Sequence, residues 1–177
     1  PQHAPLPIYT GRKTMKNFSN LSGKVALASL PLAFGSMLNK AYGKTSSLND
    51  LVTDTLNFAL TLEYLEAAFY NKIVGSAGYL TASAADQAAL TKIKADENAH
   101  VAFLKGALGA SAVESPTFDF TGGKGSVTGP FAGYLASLTV QLAMSQTFED
   151  TGVRAYKGQA PNLQSSRPNL TAALEIH

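Results

Sequence analysis

Glu97 and His100 stand three residues apart, which on a helix puts a carboxylate and an imidazole one turn from each other on the same side, where both can bind one metal ion. Three more glutamates fall on stripes that are otherwise apolar. Glu63 follows Val52, Leu56 and Ala59 and precedes Tyr70 and Ile73 at steps of three or four, Glu66 lies one turn beyond it, and Glu149 sits among Leu142, Ser145, Val153 and Tyr156. A carboxylate buried without a partner costs several kcal/mol, so inward glutamates must be paired, protonated or bound to a cation. No lysine or arginine shares these stripes to neutralise them. The spacing therefore predicts a metal site built from Glu63, Glu97, His100 and Glu149. Both Glu63–Tyr70 and Glu149–Tyr156 read Glu-x6-Tyr. Seven residues are nearly two turns, so each tyrosine shares a face with its glutamate, where it can hydrogen-bond a ligating carboxylate.

Composition narrows the chemistry further. The chain has no cysteine, which excludes disulfides, thiolate catalysis, iron–sulfur clusters and cysteinyl zinc, so any metal must be held by oxygen and imidazole. A net charge of +2 thinly spread along 177 residues leaves no basic face for DNA or RNA. The length suits one domain with an appendage.

The elements that must position these residues are all helical. Ser47, followed by Asp50, predicts a helix start, and Gly75 its end. A second helix is expected from Thr81 or Ser83 to Gly109, with Leu90, Ile93, Glu97, His100, Val101 and Leu104 facing inward. The Gly/Ser/Thr-rich stretch 110–129 reads as a crossover loop, with extended pieces at most around Thr117–Phe120. A third helix is expected to open at Pro130 and to run to Tyr156 before Gly158, with Leu135 and Leu138 on its inner stripe. Pro168 starts a fourth, truncated at His177. Residues 46–177 thus read as a four-helix bundle. Asp96, Asp150 and Arg154 are expected at the surface, and His3 and His177 to be inert.

Residues 1–45 have a different character. Arg12, Lys13, Lys16 and Lys24 precede the uncharged run Val25–Asn39, the layout of an export signal, and GRKTMKNF resembles the start of a twin-arginine signal with Lys13 in place of the second arginine. The run is interrupted by Pro31 and Gly35 and is shorter than the roughly 20 residues a bilayer requires. The other reading is a retained helix, Val25–Leu38, docked on a partner. The absence of methionine at Pro1 implies residues upstream.

The order Glu-x6-Tyr, Glu-x-x-His, Glu-x6-Tyr is similar to ferritins, bacterioferritins and rubrerythrins. NFALTLEYLEAAFY, IKADENAHVAFLKGALG, PTFDFTG and FEDTGVRAYKGQAP more closely resemble ferritin-like proteins of the desiccation-related and bacterial envelope-associated kind. The resemblance implies a ferritin-like four-helix bundle with a long crossover loop. It also implies a diiron site with Glu63, Glu97, His100 and Glu149 as ligands and Glu66 binding instead of Glu63 or beside it, with manganese, zinc or no metal as the other outcomes. Glu175 and His177 are two apart and do not form the family's last Glu-x-x-His, which would lie just beyond His177. Implied functions are iron-dependent oxidation of the ferroxidase or peroxide type, iron handling, or protection against oxidative or desiccation stress. The alternative is a structural or assembly subunit that uses the bundle without catalysis. A periplasmic or cell-envelope location, membrane-surface contact and self-association or envelope assembly through the apolar segment complete the expectation.

Overall fold

The structure, a computed structural model, describes residues 48–163. The leader 1–45, the Ser47 cap and the expected fourth helix with Glu175 and His177 lie outside the described residues. Within them are α1 (Leu48–Ile73), α2 (Ala77–Leu80), α3 (Ala84–Leu108) and α4 (Leu138–Gln159), with single 3₁₀ turns at Gly109–Ser111, Tyr134–Ala136 and Ala160–Leu163. No strand occurs among the described residues, Thr117–Phe120 included, so the all-α class stands. No described helix is long and apolar enough to cross a membrane.

Helix α1, 26 residues or about 39 Å long, is the centre of the molecule. Between Thr55 and Tyr70 only Phe58, Thr61 and Ala68 are half-buried; the rest are buried. It stops at Gly75, whose φ of +93° is the left-handed conformation that glycine adopts without penalty. Ser76 then caps the single turn α2, which the sequence did not announce. Ser83 caps α3 by accepting from the Asp86 amide at 3.2 Å while donating to the Asp86 carboxylate at 2.7 Å. α3 ends at Gly109, as expected.

Two apolar clusters divide the core. Leu56, Leu60 and Tyr64 of α1 meet Leu104 and Leu108 of α3 and Tyr156 of α4 in one; Phe69, Tyr70 and Ile73 meet Leu90, Met144 and Phe148 in the other. The order of these contacts along each helix makes α3 and α4 parallel to one another and both antiparallel to α1. The connection 112–133 therefore runs the length of the bundle, from the first cluster to the second. Asn57 ties down its start, donating to Ser111 O and accepting from the Val113 amide, both at 2.9 Å. Phe118 and Phe120 insert its middle, with the Phe120 ring 5.4 Å from Phe69 and 6.1 Å from Phe148.

The third long helix departs from expectation. It begins at Leu138 behind Ser137, whose hydroxyl accepts from the Val140 amide at 3.4 Å, and it passes through Gly158 to Gln159. Pro130 lies in the loop. Leu135 is 40% exposed instead of inward, and the buried stripe is Gln141, Met144, Ser145, Phe148, Gly152 and Tyr156. The Gln141 amide donates to Tyr134 O at 3.0 Å and Leu135 O at 3.2 Å, so it holds the turn before the helix in a separate conformation.

Candidate metal centre

The acidic residues occupy the layer between the two apolar clusters. Glu63 and Glu66 come from the middle of α1, Glu97 and His100 from the middle of α3, and Glu149 from α4. Glu63 is 0%, Glu66 1% and Glu97 3% exposed, values that place three carboxyl groups out of reach of bulk water. His100 and Glu149 are half-buried.

Glu63, Glu97 and His100 converge. Each offers one ligand atom, and these atoms lie within 4.8 Å of one another. The imidazole Nδ1 is 3.1 Å from Glu63 Oε2 and 3.2 Å from Glu97 Oε2, so one ring nitrogen faces two carboxylate oxygens from two helices. The Glu-x-x-His spacing delivers the Glu97 contact, and the antiparallel packing of α1 on α3 delivers the other. Glu66 and Glu149 are not part of this trio. Both belong to the same charged layer, since the charges of Glu63, Glu149 and Glu97 all act on Glu66.

The tyrosines pair across the bundle rather than within their own helices. Tyr156 donates to Glu63 Oε1 at 2.5 Å, and Tyr70 donates to Glu149 Oε1 at 2.7 Å. Seven residues span about 10.5 Å of helix axis, too far for a tyrosine to reach its own glutamate. The antiparallel neighbour brings the other motif's glutamate alongside, so the two Glu-x6-Tyr segments satisfy one another reciprocally. Sequence spacing shows the repeat but not the exchange, which depends on helix direction.

The electrostatics follow from burial. Desolvation, then the charges of Glu63, Glu149 and Glu97, hold the Glu66 carboxyl well above its ordinary 4.5. Desolvation also lifts Glu97 from 4.5 to about 8; the His100 hydrogen bond opposes the rise, and the Glu63 and Glu149 charges add to it. Burial works to lower His100, but hydrogen bonds to Glu63 and Glu97 and their charges outweigh it and raise the imidazole from 6.5 to about 10. Tyr70 and Tyr156 are raised by burial and then by the carboxylates they bond. The two carboxyl groups thus favour the protonated imidazole, whose Nδ1 lies between Glu63 Oε2 and Glu97 Oε2.

Asp96 pairs with Lys92 at 2.7 Å on the outer face of α3, and Asp150 and Arg154 are exposed, all three as expected. A family model of the ferritin-like domain matches residues 51–177. No curated protein and no solved structure matches the chain significantly.

Proposed function

The chain belongs to the ferritin-like domain family, and from that premise we propose that its interior binds a divalent transition metal, iron first, at Glu63, Glu97 and His100. The observation that carries the reading is the meeting of three ligand atoms within 4.8 Å inside a buried layer. Two carboxylates and an imidazole suit Fe, Mn and Zn in the way thiolate-free sites do. Glu66 and Glu149 add carboxylates beside the trio for a second ion, the arrangement that paired-iron helical bundles use. Iron held there would give up electrons to dioxygen or peroxide, which would be reduced, and would thereby serve iron handling and protection from oxidative stress.

The chain's own residues do the rest. Tyr156 fixes the orientation of the Glu63 carboxylate, so one of its oxygens stays turned toward His100. The apolar clusters pack on either side of the layer, and Glu63, Glu66 and Glu97 are buried between them. To act as ligands, His100 would have to lose its Nδ1 proton and Glu97 its own.

Metal-depleted full-length chain titrated anaerobically with Fe(II) tests this reading. Saturable uptake with a rise in melting temperature is expected. Glu97→Gln and His100→Ala should each weaken uptake by more than the roughly 10–100-fold that loss of an outer partner costs. Failure to take up Fe, Mn or Zn would overturn the metal reading and leave the bundle a structural or assembly subunit.

A further inference from the structure

The basic and apolar stretch at positions 1–45 has no part in the metal centre, and the fold bears on what becomes of it. α1 begins at Leu48, and the first of its residues that the core buries is Thr55. Leu51–Asp54 are half-buried. Glu63, the first ligand, follows Thr55 by about two turns. Every described residue of the two apolar clusters and of the trio lies after position 51. The chain can therefore lose everything before α1 without losing a described contact of the core or of the trio.

Upstream of α1 the residue types follow the order of a removable leader. Arg12, Lys13, Lys16 and Lys24 precede the uncharged run Val25–Leu38, whose length fits the roughly 7–15 residues of a leader's apolar part and falls short of the roughly 20 of a permanent span. Enzymes that remove such leaders read small side chains at the first and third positions before the bond they cut. Ala41-Tyr42-Gly43 supplies that pattern just after the run. Ala26-Leu27-Ala28 and Ala33-Phe34-Gly35 share it but lie inside the run, and a cut after Thr45-Ser46-Ser47 would take from α1 the cap that the sequence places before it.

We propose that the Gly43–Lys44 peptide bond is a processing site: a membrane-bound signal peptidase hydrolyses it during export, and the bundle is released outside the cytoplasm with Lys44 as its first residue. Water adds across the amide; Gly43 leaves with the new carboxylate, and Lys44 keeps the new α-amino group. Lys44 stands four residues before Leu48, so the whole of α1 and its cap stay with the released chain. The proposal does not rest on the metal reading. Its test is expression of the full chain, leader included, in a bacterial host, followed by cell fractionation, intact mass and amino-terminal sequencing. The extracytoplasmic pool should be one species that starts at Lys44. Gly43→Leu and, separately, Ala41→Leu put a bulky side chain at a position the peptidase reads. Each should leave the precursor uncut and membrane-bound, with the melting temperature of the extracted bundle unchanged. An exported chain that keeps its leader or starts at another residue, a chain confined to the cytoplasm, or a Gly43→Leu precursor still cut at the same bond would each overturn the proposal. A chain that starts at Lys44 but takes up no metal would sink the metal reading alone.

Discussion

Tyr156 and Tyr70 make the same bond to opposite partners, and the difference between those partners separates their roles. Tyr156 holds Glu63, a member of the trio, and Tyr70 holds Glu149, outside it. Each Phe variant loses a buried hydrogen bond to a carboxyl group and should cost about 1–3 kcal/mol by chemical denaturation. Their effects on metal should diverge: Tyr156→Phe lowers affinity at the trio by about 10–100-fold, the size of effect expected for an outer partner, while Tyr70→Phe leaves it much closer to wild type. Equal losses of affinity would show that the trio does not act as a separate unit. At this scale the chemistry was legible from residue type and spacing, because Glu97–His100 is a local relation and Glu63 stands out on an apolar stripe. The Tyr–Glu exchange was not, because it depends on two helices packed in opposite directions.

Elements, more than individual ligands, decide whether the layer assembles. α1 and α3 were readable because Ser83, Gly75 and Gly109 sit at their ends and their apolar periodicity is long. The start of α4 was misread because a proline at position 130 is as good a loop residue as a first-turn residue, while Ser137 lacks the acidic partner that marks a capping box. What places α4 is a tertiary contact, with α2 lying against its first turn. A Cβ added to Gly78 would come 2.6 Å from Gln141 Nε2 and 2.9 Å from Leu138 N, the latter a backbone atom that cannot yield. Gly78→Ala should therefore destabilise the chain by about 1–3 kcal/mol through overpacking. Because the same contact sets the position of α4, Glu149 and Tyr156 should shift with it, and the Fe(II) affinity of the folded variant should fall. A variant as stable as wild type in urea would show that α2 is only a connector.

Across the whole molecule, the buried layer makes stability depend on pH in a direction opposite to that of most proteins. Glu66 and Glu97 have raised carboxyl pKa values, Glu97 at about 8 against an ordinary 4.5, and His100 is raised from 6.5 to about 10. All three bind a proton more tightly folded than unfolded. Their stabilising contribution is thus fully present below the ordinary values and is lost as pH rises, through about 8 for Glu97 and about 10 for His100. The metal-free chain should melt at progressively lower temperature between about pH 5 and pH 9. A bound cation inverts the sign: its ligands must be deprotonated, so affinity rises with pH, and binding to the folded state alone adds stability that grows with it. Melting curves of metal-free and Mn(II)- or Zn(II)-loaded chain should therefore separate as pH increases, and loading near pH 7 should release protons, measurable by calorimetry in buffers of different ionisation enthalpy. Parallel curves, with no proton release, would mean that the cation does not take the place of the proton between Glu63, Glu97 and His100.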